Sequence, residues 1–365
     1  MKRHFMPLAL ILGLLLSVLP AQAQAPAPST HRVARNTAVP SAAFVQRPAY
    51  DSGWIPLSAG TARTLAHNLG GNTEDYVVRM DYRSASSGIN QRYYGGVDFG
   101  GKSFGGTKEN HRVGAYWRTL TPSTITVYRR PEDTYATEVR IRIWIDPHPD
   151  YDSGWVSLTA GASARTLSHG LLGDVNDYVV DMTYKTGSSG INQRYFGGAD
   201  FGATSFGGTK ANDRVGAYWR SLTSSTITVY RRSEDTYATQ VRIRIWRRPS
   251  PTYDSGWFSL AQGSVRSLTH AIGGDNNAYV VIMDYKANNV NGINARHYGG
   301  ADFFDRPAPG HSVGDRVGAY WRSLTTSRIT VYRRAEDTYA PQLRIRIWSY
   351  EQRHRQYLPT MRKAG

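Results

Sequence analysis

Cysteine is absent from all 365 residues. That excludes a disulfide framework, a thiolate nucleophile, a cysteine metal site and lipid attachment at a thiol. A fold without such staples must hold by burial alone, which domains of about 100 residues can do. Acidic residues are the scarcer charge, 28 against 44 Lys and Arg. Long apolar runs are missing beyond the first two dozen residues, so no membrane span is expected. A helical hydrophobic period of useful length is missing too. So are a Gly-rich phosphate loop, a Ser-His-Asp spacing and a zinc-ligand spacing.

What is present begins with an address. Lys2, Arg3 and His4 precede the apolar stretch Leu8 to Leu19, and Ala21-Gln22-Ala23 follows as a small-x-small site. This is the layout of a secretory signal peptide, 1–23, with cleavage expected after Ala23 and a secreted or cell-envelope location. Residues 24–49 form a Pro/Ala-rich linker with Arg32, Arg35 and Arg47 and no acid. Residues 350–365 form a basic tail with Arg353, Arg355, Arg362 and Lys363 against Glu351. Basic ends of this kind favour loose attraction to acidic surfaces over a shaped polyanion groove, so no nucleic-acid partner is expected.

Between the ends one template occurs three times. Tyr50-Asp51-Ser52-Gly53-Trp54 returns at Tyr151 and Tyr253, and Arg140-Ile141-Arg142-Ile143-Trp144 returns at Arg242 and Arg344. Trp144, Trp246 and Trp348 are 102 residues apart. That period is far longer than the roughly 20–50 residues of a solenoid or propeller unit, and each copy has the size of a domain. The repeats are 50–146, 151–248 and 253–349. The Pro-containing joints between them are short, so neighbouring copies are expected to sit close together.

Within a copy the period is two. Val78, Met80 and Tyr82 alternate with Arg79 and Asp81, and Val139, Ile141 and Ile143 alternate with Arg140, Arg142 and Trp144. Position 79 becomes Asp181 and then Ile282, so it is expected to face away from the core. Further strands are expected over Gly53–Leu57, Arg63–Leu69, Val113–Leu120 and Thr124–Arg130. The fold class is therefore all-β: three tandem six-stranded antiparallel β-sandwich or barrel domains.

The order of Asp51-Ser52-Gly53-Trp54, Leu65-Ala66-His67-Asn68-Leu69 leading into Tyr76-Val77-Val78, then Val113 to Leu120, Thr124-Ile125-Thr126-Val127 and Val139 to Trp144 resembles the H-type lectin domain. The resemblance covers nearly all of each copy through short β motifs. It implies a six-stranded antiparallel sandwich that assembles as a parallel trimer, with N-acetylgalactosamine-type sugars near the subunit junctions. Three copies in one chain would then form an intramolecular pseudo-trimer. The sequence departs from the family in a Gly-rich insertion, Gly88 to Arg112, on which the family's sugar contacts find no residue-by-residue match.

That insertion is the candidate site, because long loops inside compact domains carry function more often than packing. Sugar binding needs an aromatic face and planar polar groups. Asn90, Arg92, Tyr94, Asp98, Arg112 and Trp117 supply them in the first copy. Asn192, Arg194, Phe196, Asp200, Arg214 and Trp219 do so in the second, and Asn294, Arg296, Tyr298, Asp302, Arg316 and Trp321 in the third. The bland alternative is that Asn90 caps a turn, Arg92 and Asp98 brace the loop and Tyr94 packs.

The other recurring groups read as structural. Glu132 and Asp133 are expected to pair with strand arginines, and nothing brings two acids to the spacing glycoside hydrolysis requires. His67, His169 and His270 have no recurring histidine partner and read as packed residues. Asp/Asn clusters such as Asp275-Asn276-Asn277 read as turns before calcium sites. The paired arginines 140 and 142 have three readings: a solvated face, an axis lining paired with Glu132 and Asp133, or a stripe for an anionic glycan. The expected function is a secreted, non-catalytic, multivalent carbohydrate-binding protein with no cofactor, whose partners are glycans or other cell-surface polysaccharides. The competing expectation is a structural or adhesive protein held to acidic envelope polymers by its basic ends.

Overall fold

In a computed structural model the expected strands are present in all three repeats, with three short additions in each. It describes residues 46–83, 89, 97–99, 111–113, 115–129, 136–146, 148–161, 164–185, 191, 199–201, 213–215, 217–231, 238–248, 250–286, 293, 301–303, 315–317, 319–333 and 340–351. Repeat 1 contains β1 (Tyr50–Asp51), β2 (Ile55–Pro56), β3 (Ala62–Ala66), β4 (Tyr76–Arg83), β5 (Val97–Phe99), β6 (His111–Val113), β7 (Ala115–Arg118), β8 (Thr124–Arg129) and β9 (Glu138–Ile145). Repeats 2 and 3 carry the same nine.

The protein is all-β, with no α-helix among the described residues. β9 pairs with β1, β2 and β4 in a four-stranded sheet, while β3, β8 and β7 form a second, three-stranded one. Both are antiparallel and recur in the other repeats, six sheets in all. The insertion is not wholly irregular, because β5 and β6 pair as a hairpin.

Local chemistry explains why these motifs recur. In Asp-Ser-Gly-Trp, Gly53 has φ 61°, where a side chain would be strained. Its N–H donates to Asp51 Oδ1 at 3.0 Å, and Ser52 Oγ accepts from the Ile141 N–H at 2.9 Å. The motif is thus a kink that joins β1 and β2 along one edge of β9. The Asn/Asp clusters before β4 and its equivalents are caps. Asn72, Asp174 and Asp275 each accept from the backbone N–H two residues on, at 2.9–3.0 Å, and open a 3₁₀ turn.

The main core lies between the two sheets. Val139, Ile141 and Ile143 of β9 and Ile125 and Val127 of β8 are completely buried there, with Val78, Met80 and Tyr82. His67, His169 and His270 are buried as expected. Each ring lies within 6 Å of two tyrosine rings, Tyr50 and Tyr76 around His67.

The opposite face of β4 and β9 corrects the sequence reading. Arg79, Asp181 and Ile282 do face away from the main core, yet all three are buried. The arginines are not a solvated face either: Arg142, Arg244 and Arg346 are each 2% exposed. Among the described residues their partners are other carboxylates and backbone carbonyls. Arg140 holds Asp51 through Nε and Nη2, while its Nη1 donates to the Asn277 carbonyl of repeat 3 at 2.8 Å. Arg142 donates to Asp81 at 2.5 Å, and its other arm donates to the Tyr279 carbonyl of repeat 3 at 2.8 Å. Arg244 reaches Asp181 and the Tyr76 carbonyl of repeat 1, and Arg346 reaches Asp284 and the Tyr178 carbonyl of repeat 2. A second apolar cluster lies on this face: Val77, Val179, Val280, Ala278, Ile282, Tyr350 and the tryptophans 144, 246 and 348. Period two separates the faces correctly, but it carries no information about what covers the polar one. Glu132 and Asp133 lie outside the described residues.

Candidate ligand-binding face

The outward side of the three-stranded sheet combines aromatic, hydroxyl and guanidinium groups. Along β8, Ile125 and Val127 point into the core, which turns Thr124, Thr126 and Tyr128 outward. Register then fixes their neighbours: Thr64 of β3 lies opposite Thr126, and Tyr116 and Arg118 of β7 lie opposite Tyr128 and Thr126. The Thr64 and Thr126 hydroxyls are 3.1 Å apart. The Tyr116 and Tyr128 rings are tilted at 48° with centroids 5.2 Å apart, and the Arg118 guanidinium lies 5.8 Å from the Tyr128 ring.

The arrangement recurs in the other copies. Tyr218 and Tyr230 are 5.2 Å apart, and Tyr320 and Tyr332 are 5.1 Å apart. Thr166 with Thr228 and Ser267 with Thr330 reproduce the hydroxyl pair. Thr126, Tyr128 and Arg118 are half-buried and Thr64 is exposed. A planar guanidinium, donor–acceptor hydroxyls and an aromatic edge are the groups that bind a polyhydroxylated ring.

A kink at the end of β7 links this face to the next repeat. Thr119, Ser221 and Ser323 each have φ 53°, a conformation that costs a non-glycine residue about 1 kcal/mol or more. After the kink, the Leu120 N–H donates to the Ile191 carbonyl of repeat 2 at 3.1 Å, and the Leu222 N–H to Ile293 of repeat 3 at 2.9 Å. The third such bond, Leu324 to Ile89 of repeat 1, is 3.0 Å. Thus Ile191, the residue before candidate Asn192, is fixed beside Leu120, two residues after Arg118.

Among the expected site residues, Asn90, Arg92, Tyr94, Asn192, Arg194, Phe196, Asn294, Arg296 and Tyr298 lie outside the described residues. Asp98 stands directly opposite Arg112 across the β5–β6 hairpin, as Asp200 does opposite Arg214 and Asp302 opposite Arg316. Trp117, Trp219 and Trp321 are at most 3% exposed and belong to the main core, so they offer no ring face to a ligand. Sequence reasoning passed over Tyr128, Thr126 and Thr64. The alternation Thr-Ile-Thr-Val-Tyr, repeated in full at Thr226 and nearly so at Arg328, was the signal for them.

A second set of aromatics marks the contacts between repeats. Trp54 Nε1 donates to Asn277 Oδ1 of repeat 3, Trp155 Nε1 to Glu74 Oε1 of repeat 1, and Trp257 Nε1 to Asn176 Oδ1 of repeat 2, at 2.7–3.0 Å. A cation caps each ring: Arg83 at 4.6 Å, Lys185 at 3.9 Å and Lys286 at 4.2 Å. Burial alone would raise the Glu74 carboxyl, but Trp155, Arg242 and Lys185 outweigh it and hold it below the ordinary range. Among the described residues no group of three or more His, Asp or Glu is placed to hold a metal ion.

Comparison with protein-family models, with curated proteins and with solved structures gives no match.

Proposed function

We propose that this chain is a secreted, non-catalytic, multivalent carbohydrate-binding protein. Its three repeats act as three β-sandwich domains closed into one intramolecular pseudo-trimer. Each repeat binds a glycan on the face formed by Arg118, Thr126, Tyr128 and Thr64 or their equivalents, beside the Gly-rich insertion of the adjoining repeat. The observation that carries the reading is the threefold recurrence of this partly exposed face. The closed arrangement is supported by contacts that link repeat 1 to 2, 2 to 3 and 3 to 1 in the same way. The resemblance to the H-type lectin domain implies the same chemistry and the same threefold assembly. Three weak sites held rigidly give avidity on a clustered glycan surface without a strong single site.

The test is a glycan-array screen of residues 24–365 at low and high salt. Saturable signals on a related set of sugars should persist at high salt. They should fall at least tenfold when Arg118, Arg220 and Arg322 are changed together to Ala, the loss of about 1.4 kcal/mol or more expected for a charged hydrogen bond. Unchanged binding in that variant, with loss in the Arg92, Arg194, Arg296 triple variant, would move the site to the insertion.

One observation favours a second reading, adhesion through the basic ends. The Trp144 Nε1 donates to the Gln46 carbonyl, and Tyr350 packs in the same cluster as Trp144. The two basic segments therefore start from one place on the body. Signals confined to acidic glycans and abolished by salt would support this reading instead.

A further inference from the structure

On the buried face that carries Arg142, Arg244 and Arg346, two of the positions at which the repeats differ carry opposite charges in repeats 1 and 2. The first position is Arg79, Asp181 and Ile282 in repeats 1, 2 and 3, and the second is Asp146, Arg248 and Tyr350. All six residues are buried. Across repeats 1 and 2 their charges are complementary. Arg248 Nη2 is 2.9 Å from Asp146 Oδ2, with side chains 1% and 5% exposed. Arg79 Nη1 is 3.6 Å from Asp181 Oδ1, at 4% and 1%. Ile282 of repeat 3 and Tyr350, the residue directly after that repeat, carry no charge. Ile282 and Tyr350 instead join the apolar cluster, and the Tyr350 hydroxyl donates to the Asn277 carbonyl.

A compensation inside repeat 2 belongs to the same pattern. Repeats 1 and 3 hold their buried arginine with Asp81 and Asp284, but repeat 2 has Thr183 there. Its acid has moved two residues back, to Asp181, which serves Arg244 at 2.8 Å as well as Arg79. The acid sits where it can answer the arginine that only repeat 1 carries.

We propose that these buried, non-equivalent charges are an order code, in which the face of repeat 1 fits only the face of repeat 2 and the chain closes on itself in one arrangement. The inference rests on the closed arrangement proposed above. If three copies of repeat 1 met, three Arg79 side chains and three Asp146 side chains would crowd together. Three copies of repeat 2 would crowd Asp181 and Arg248. A charge buried away from its fitted partner costs several kcal/mol, so each of these two faces is matched better by the other than by a copy of itself, including one from a second chain. Burial makes the code strict: it pulls the Arg248 guanidinium down to about 10 despite Asp146 beside it, and Arg79 acts in the same direction. Tyr350 and Ile282 complete the cluster without charge, so the third place does not compete for either pair.

The experiment compares the full mature chain with Asp146→Arg, Arg248→Asp and the exchanged double variant Asp146→Arg/Arg248→Asp, by thermal unfolding and small-angle scattering. Each single variant should lower Tm by on the order of 10 °C or fail to fold. The exchanged variant should recover most of the loss, or fold where the singles do not. The wild-type chain should have a radius of gyration of about 20 Å. Singles with an unchanged Tm, or an exchanged variant as unstable as the two losses combined, would overturn the code while leaving the closed arrangement standing. An extended wild-type profile of three beads in a row would instead remove the closed arrangement itself.

Discussion

The two faces of β9 are buried almost equally and by opposite means. Val139, Ile141 and Ile143 are sealed in an apolar core, where area removed from water and dispersion do the holding. Arg140 and Arg142 on the other face are nearly as inaccessible, but carboxylates of their own repeat and the Asn277 and Tyr279 carbonyls of repeat 3 hold them. The inner face packs the two sheets of a repeat together; the outer face reaches the backbone of another repeat. An apolar face tolerates any partner of suitable shape. A face of arginines tolerates only one that presents acceptors at the right places, so specificity of assembly resides there.

The largest effect should come from breaking the outer face one-sidedly. Arg346→Met leaves Asp284 buried without its partner and should cost about 3–5 kcal/mol in urea unfolding. Adding Asp284→Leu should recover most of that, because an apolar pair of similar volume replaces an ion pair at little cost. A double variant no better than the single would mean that the Tyr178 carbonyl, rather than the carboxylate, is the partner that matters.

Acid should separate the two faces. Burial holds His67, His169 and His270 below the ordinary imidazole value of 6.5. The unfolded chain therefore binds more protons than the folded one below about that pH. Stability from the inner face is complete above pH 6.5 and declines as pH falls toward the lowered folded values. Asp51, Asp152 and Asp254 behave differently. Burial would raise each, but Arg140, Arg242 and Arg344 outweigh it and hold each below 3.8. Their contribution is intact above that value and is lost only as pH falls beneath it. A thermal series should show two separate declines, and His→Gln changes at all three positions should flatten only the upper one.

The smallest effect is a gain away from both faces. Leu172 has φ 56° and is 78% exposed, at the place where repeats 1 and 3 have Gly70 and Gly273. Leu172→Gly should relieve the strain and raise stability by up to about 1 kcal/mol, read as a Tm increase of a few degrees.

Much of this was legible in the sequence. The three copies and the six main strands followed from recurrence and period two, because a strand with one face in a core must alternate. The β5–β6 hairpin escaped because Gly-rich flanks carry no alternation. The burial of the outer face escaped for a deeper reason: a polar residue reads the same whether water or another protein group satisfies it. One trace did exist, the shift of an acid from the place of Asp81 to Asp181 exactly where repeat 1 offers Arg79, a covariation between copies within one chain. At the candidate site the sequence pointed to the ring of Trp117, which the core has taken. The half-buried ring of Tyr128 sits one strand away.

The carbonyls that the arginines grip have a consequence for how such a chain can change length. Arg142 depends on repeat 3, Arg244 on repeat 1 and Arg346 on repeat 2. In a solenoid, gaining or losing a unit leaves every remaining joint as it was. Here each of the three guanidinia takes a carbonyl from a different repeat, so removal of one repeat would leave one remaining guanidinium short of that acceptor.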